Sequence, residues 1–546
     1  MTPSPGPSRR TLLRGAVAVA ALTAGSGALA ACGGSGGVSN SGSKNDQVKL
    51  PGYRAYPGIK PDLPGSAGGL SPAFFSYPAN PTKVYDKPPL SGVKASAFAM
   101  TWAPIPPSKG DNPFWQEADR RIGADISLTI TPGPDYQNKL ATLLAGNDFP
   151  DFMQIQGQPR DYPQLMDAKF QDLSEFLSGD AIHDYPFLAA IPTACWKPTV
   201  VSGGIYGLPV PRPVTGFPLY RRDDILAGMD LDPDPKTFKD LRALFGEVRD
   251  VKRRRWAFGD PLTMHDFVVA CLGTPAGWRE QGGGLVHAYE QEGYEEALSV
   301  MSAMVKDELL HPDGFNTNKN PKQWLNAGNT VFQNDNVSAW RQWYQDNVAG
   351  PEFRIGALMP MSYDGSAEPV HQIGTGIFSV TALKKASKKR IRELLTLADY
   401  LAAPFGSEEY LFLKFGAEGR HHVMKDGNPE LTRTGRKEQA VPLQYITDSP
   451  YALYTPEGRH IAEEWHAFCA EFLRKPYQEP VIGLYSATAS RQGPVIDKEI
   501  QDTRIGILSG RTPLSQWKGA VREWRQAGGD RIRTEFQKEL DRRRGA

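Results

Sequence analysis

At 546 residues the chain is long enough for two or more compact units, each with a core of its own, and a small disulfide-stapled module is excluded. Its 62 Lys plus Arg balance 61 Asp plus Glu, so no whole-chain charge attracts nucleic acid or anionic lipid, and no nucleic-acid partner is expected. A hydrophobic share of 40% with 23% charged residues excludes disorder throughout, and 11 Trp, 20 Tyr and 24 Phe are ample for aromatic binding surfaces.

The N-terminus reads Ser8-Arg9-Arg10-Thr11-Leu12-Leu13-Arg14, then an apolar run over 15–31, the layout of an export signal with a twin-arginine head. The run is too short and too rich in Ala and Gly for a spanning helix. It stops at Leu29-Ala30-Ala31-Cys32-Gly33, which resembles the lipobox of bacterial lipoproteins, where the cysteine is lipidated after cleavage. Residues 1–31 are thus expected to be a signal peptide and Cys32 a lipid anchor on the outer face of the bacterial cytoplasmic membrane. Between 33 and 90 there are 10 Gly, 9 Pro and 7 Ser, a composition that supports neither helix interiors nor central strands, so 32–90 reads as a flexible tether. Within it, Gly33-Gly34-Ser35-Gly36-Gly37 matches the G-x-S-x-G nucleophile pattern but lacks the strand before and helix after that the chemistry needs. Removing Cys32 from the count leaves Cys195, Cys271 and Cys469, without any C-x-x-C pair; export of a protein already folded in a reducing compartment favours buried free thiols.

The folded body opens with an apolar strand over Lys94–Met100, and Asn112-Pro113 supplies an N-cap and first-turn proline for a helix with Phe114, Ala118 and Ile122 on one face. Ile126, Leu128 and Ile130 alternate with polar residues in a second strand. Tyr136, Leu140, Leu143 and Leu144 mark a helix stopped at Gly146, and Asp151–Ile155 is a third strand. This β-α-β-α-β order predicts a parallel sheet with helices on its faces and a ligand beyond the carboxyl ends of its strands, where Trp102 and Gln156 lie. Further on, Thr237 caps a helix with Phe238, Leu241, Leu244, Phe245 and Val248 on its apolar face. Helical spacing recurs from Tyr294, over Ile391–Leu401 and over Trp517–Trp524, predicting a second α/β lobe.

Several segments together resemble the family 1 extracellular solute-binding proteins of ABC importers, in the lipoprotein branch that includes oligosaccharide and alginate-fragment binders. They are Leu144-Ala145-Gly146-Asn147-Asp148-Phe149-Pro150-Asp151, Phe170-Gln171-Asp172-Leu173, Gly204-Ile205-Tyr206-Gly207-Leu208-Pro209, Tyr220-Arg221-Arg222-Asp223 and Pro235-Lys236-Thr237-Phe238-Lys239-Asp240-Leu241. Gly277-Trp278, His311-Pro312-Asp313 and Phe415-Gly416-Ala417-Glu418-Gly419 continue the order. The resemblance implies a two-lobed periplasmic-binding-protein-like α/β fold whose hinge strands cross between lobes. The expected lobes are 91–215 plus about 366–440, and 216–365 plus about 441–546. It further implies a monomeric, non-catalytic receptor that captures a carbohydrate, an oligosaccharide, and delivers it to ABC permease subunits, without a cofactor. Oligosaccharide-binding relatives often carry an acidic calcium loop after the Pro-x-Thr helix; here Val251-Lys252-Arg253-Arg254-Arg255-Trp256 fills the place, which argues against a metal there.

Sugars present apolar C–H faces and hydroxyl rims, so a binder needs flat aromatic platforms beside directed polar groups. Trp102, Trp115, Trp278, Trp340 and Trp343 are the candidate platforms, with Gln156 at a strand end, Tyr220, and Arg221 as a fork for an acidic sugar. For each indole the alternative is packing between helices. The functional alternative is a lipid-anchored secreted enzyme that cleaves glycans with a carboxylate pair, since spacing between carboxylates is not legible in a sequence.

Overall fold

A computed structural model describes residues 40–146, 148–316, 319–347 and 349–545; the export signal and Cys32 lie outside these residues. Two larger sheets are built from β1 (Val93–Thr101), β2 (Ala124–Pro132), β3 (Phe152–Ile155), β4 (Leu208–Pro211), β5 (Leu219–Arg222), β6 (Trp256–Phe258), β7 (Thr330–Asn334), β8 (Ile355–Leu358) and β9 (Ile377–Leu383). One sheet has the order β2-β1-β3-β9-β4, the other β8-β5-β7-β6. The expected β-α-β-α-β start is present, with β1 parallel to both β2 and β3. The sheet as a whole is mixed, because β9 returns from the second lobe and inserts antiparallel between β3 and β4.

Local sequence explains the elements. The Asn112 side chain accepts from the Trp115 N–H and Pro113 occupies the first turn of the helix Pro113–Ile122, whose Phe114, Trp115, Ala118 and Ile122 are buried. On the other face of the sheet, Phe98 of β1 stacks on Tyr136 at 5.4 Å, among Leu140, Met153 and Met166. Each large side chain so buried contributes about 2 kcal/mol. In the second lobe Thr237 and Asp240 form a capping box that starts Phe238–Val248, and the apolar face of that helix meets Phe258 and Phe332 of the sheet. Cys195, Cys271 and Cys469 are buried free thiols, and burial raises their pKa to about 11, 12 and 12 respectively.

The chain crosses between lobes from β4 to β5, from β8 to β9, and a third time on the way to the helix Arg459–Phe472. Val441, Leu443 and Ile446 still belong to the first lobe's core, so this last crossing comes later than the position near 440 expected from sequence.

Residues 40–90 correct the expectation of a flexible tether. Side-chain amides of Asn40 and Asn45 accept from the N–H groups of Ser202 and Gly203 at 2.7 and 2.8 Å, and Asp46 pairs with Arg543 of the C-terminal helix at 2.8 Å. Phe74 and Tyr77 are buried, and the Tyr77 hydroxyl donates to Ser407 O at 2.6 Å. Tyr85 donates to Asp399 at 2.6 Å; the same carboxylate accepts from the N–H groups of Phe187 and Leu188, both at 2.8 Å. Burial pushes the Asp399 carboxyl up to about 7. Composition correctly denied this segment long elements, but aromatic residues spaced among its prolines and glycines pack into the first lobe's core.

Candidate functional site

The site follows from strand direction. In the first sheet the carboxyl ends of β1, β3 and β4 and the entry of β9 share one edge, as the pairings Ala97 with Phe152, Ile155 with Val380 and Pro211 with Ile377 require. In the second sheet the start of β5 pairs with Asn334 at the end of β7 and with Leu358 at the end of β8, and β6 ends on the same edge. The chain passes from Pro211 to Leu219 and from Leu358 to Ile377 between these two edges, so they face each other across a cleft floored by the crossing segments. The floor is tied together by Gly374 N–H to Val214 O at 2.8 Å and Arg212 N–H to Gly376 O at 2.9 Å.

Trp102 lies one residue past β1 and is 60% exposed. Its ring covers Gly133, where an added Cβ would come within 2.6 Å of the indole, so glycine is what lets the platform lie flat on the turn. Gln156 is half-buried just past β3; its N–H donates to the Tyr136 hydroxyl at 3.0 Å, which in turn donates to Gln154 O at 2.8 Å.

The other candidates are corrected. Trp115 is in the first lobe's core, its indole N–H donating to Ile126 O at 3.1 Å. Tyr220 is fully buried, donates to the carbonyls of Asn336 and Val337, and meets Trp340 and Trp343 edge-to-face at 5.6 and 5.5 Å. Trp340 is 2% exposed and Trp343 1%, both on the helix Ala339–Gln345, which buries them between β5 and the helix Arg459–Phe472. Trp278 packs on Trp524 and Phe536. Arg221 is bound by Asp223 at 2.7 Å and Asp234 at 2.9 Å, which leaves it no free charge for a ligand. The common reason for the aromatic candidates is that each ring turns into the packing between its own element and the neighbouring layer.

Sequence reasoning missed other cleft groups. Phe217, in the first crossing segment, is 55% exposed. Trp324 is half-buried at the end of β6, where Gly259 admits it: a Cβ there would meet the ring at 2.7 Å. Its ring stacks on His311 at 3.8 Å. Arg212, at the exit of β4, binds Asp448 at 3.0 Å, and Lys414 binds the other oxygen of that carboxylate. Only Gly216-Phe217-Pro218, an aromatic between two turn residues, carried a readable signal.

This geometry, two α/β lobes joined by crossing strands around a cleft, defines a hinged ligand-binding protein. Residues 117–406, more than half of the chain, match the family described as bacterial extracellular solute-binding protein, and the chain belongs to it. Similar curated proteins include the polygalacturonan/rhamnogalacturonan-binding protein YtcQ of Bacillus subtilis, 22% identical over 478 residues, covering 82% of this chain and 91% of that one. Lipoprotein LipO of the same organism is 20% identical over 484 residues, covering 82% and 93%. Among solved structures, the N-glycan transport solute-binding protein NgtS of Streptococcus pneumoniae in complex with Man1GlcNAc superposes with a TM-score of 0.61 at 14% identity, covering 82% of this chain and 99% of that one.

Proposed function

We propose that the protein is the substrate receptor of an ABC importer, which captures an oligosaccharide in the interlobe cleft and delivers it to the permease. The observation that carries this reading is the pair of aromatic surfaces at the cleft edges, Trp102 on one side and Phe217 with Trp324 on the other, beside polar and charged groups. A sugar ring offers C–H faces to the first and hydroxyls to the second. YtcQ, named for binding acidic pectic polymers, and NgtS, solved with a mannose-containing glycan, support a carbohydrate as the ligand class.

Binding without catalysis is the reading the carboxylates favour. Asp260, Asp335 and Asp448, at the cleft edges, pair with Lys319 at 3.0 Å, Lys322 at 3.2 Å and Arg212 at 3.0 Å, whereas glycan hydrolysis needs a carboxylic acid kept protonated opposite a second carboxylate. Among the described residues no helix is long and apolar enough to cross a membrane. The receptor is a monomer exported by the twin-arginine route and attached through Cys32 to the outer face of the cytoplasmic membrane; the likeness to lipoprotein LipO supports the lipid attachment. The test is incubation of purified mature protein with a panel of labelled oligosaccharides. Thermal stabilisation by intact sugar is expected; new reducing ends in the absence of stabilisation would establish the enzyme instead.

A further inference from the structure

We propose that the cleft holds a carboxylate-binding site formed by Arg212, Lys414 and Arg341, and that the captured oligosaccharide is therefore acidic, with uronate residues. The inference rests on the receptor reading and narrows its ligand. Arg212 leaves the end of β4 with its guanidinium 5.5 and 5.8 Å from the rings of Phe378 and Tyr445, and its side chain is 15% exposed. Lys414, on the helix Glu408–Phe415, is 20% exposed. Arg341 comes from the opposite lobe, on the helix Ala339–Gln345, and reaches across to place its guanidinium 5.0 Å from the ring of Phe415. The three cations thus come from the hinge and from both lobes, the positions that a ligand must bridge to draw the lobes together.

Charge balance points to the missing partner. Asp448 is shared between Arg212 and Lys414, and Arg341 adds a third positive charge to this one carboxylate. A fourth cation, Lys322, stands nearby: Tyr445 lies in the field of both Arg212 and Lys322, and Lys322 pairs with Asp335 at 3.2 Å. Glu457 shares the field of Tyr454 with Arg341, so four cations face three carboxylates and one positive charge is left in excess in a partly desolvated crevice. Such an excess is unfavourable until an anion enters; at Lys414, burial, with smaller contributions from Arg212 and Arg341 and against the pull of Asp448, holds the pKa below the usual lysine value. The hydrogen bonds of Arg212 to Pro211 O, at 2.7 Å, and to Asp448 both pass through Nη1. The guanidinium also bonds the Tyr445 side chain, but no carboxylate pairs with the Nε–Nη2 side of its fork, the side that binds a planar carboxylate through two parallel bonds. The Phe378 and Tyr445 rings beside it suit the apolar face of the same sugar.

The experiment is calorimetric titration of the Cys32→Ser mature protein with trigalacturonate, its fully methyl-esterified form, trimannuronate and a panel of neutral oligosaccharides, at low and high salt. At least one uronate trimer is expected to bind with an affinity that falls as salt rises, and esterification is expected to weaken trigalacturonate about tenfold or more if that is the trimer bound. In Arg341→Gln the preference for the acid over its ester should shrink by about the factor that esterification costs the parent. Lys322→Gln, at a more exposed position, should give a smaller loss in the same direction without any risk to folding. If neutral sugars bind and neither uronate does, or if acid and ester bind alike, the carboxylate site is refuted and the receptor reading stands. If no member of the panel binds, both readings fall.

Discussion

Replacing Trp102 with alanine separates a binding aromatic from a packing one, because its counterpart for comparison, Trp340, sits in an opposite environment. Trp102 is 60% exposed with its ring over Gly133, whereas Trp340 is 2% exposed and packed against Tyr220, Trp465 and Phe468. Loss of an exposed side chain changes fold stability by about 0.5 kcal/mol or less, while truncating a buried tryptophan costs about 3 to 5 kcal/mol. For binding the order reverses. An aromatic platform desolvated by ligand carries about 2 kcal/mol or more, roughly a 30-fold loss of affinity on truncation. Trp102→Ala is therefore expected to keep the melting temperature of the free protein and to bind oligosaccharide weakly, with loss of the ligand-induced change in tryptophan fluorescence. Trp340→Ala is expected to melt at much lower temperature, while the fraction that folds binds nearly as the parent does. Calorimetric titration paired with thermal melts of the free proteins reads both effects. Normal affinity in Trp102→Ala, or a stable Trp340→Ala that no longer binds, would refute the assignment of the platform.

Asp399→Ala should cost about 3 kcal/mol or more in urea denaturation, because Tyr85 and the N–H groups of Phe187 and Leu188 all lose their buried acceptor; proteolysis should then cut first within 40–90. Acid should weaken the second lobe through His265, which is fully buried between Arg504 and Asp266, with burial and then the Arg504 charge lowering its pKa from 6.5 to about 4. The unfolded chain binds this proton more readily, so the contribution is complete above pH 6.5 and is lost as pH falls towards 4, on the order of 3 kcal/mol; a melting temperature flat across that range would contradict it. Cys32→Ser should release folded protein into the medium, checked by fractionation, and retention at the membrane after signal cleavage would overturn the lipid anchor. Chelator should leave melting temperature and sugar affinity unchanged, because the turn Val251–Arg253 that occupies the calcium-loop position is basic; a loss restored by calcium would place metal ligands elsewhere.

The sequence by itself determined what depends on neighbours along the chain. The cap at Asn112-Pro113, the capping box of Thr237 and Asp240, the alternation in β2 and the helical spacing of Ile391 through Leu401 all produced elements within a few residues of where periodicity placed them. Order of elements was enough for a parallel start to the first sheet, and hence for Trp102 just past the carboxyl end of β1. What only the tertiary structure decided is which residues far apart in the chain share a space. An indole has the same sequence signature whether it lies past a strand end, as Trp102 does, or between helix and sheet, as Trp340 and Trp343 do, because exposure is set by layers packed from distant segments. Arg221 and Arg212 look alike in sequence; the first is neutralised by Asp223 and Asp234, while the second shares the lone carboxylate of Asp448 with Lys414. Net charge over the chain averages such differences away, so the excess of positive charge in the cleft exists only once folding brings position 212 to positions 341, 414 and 448.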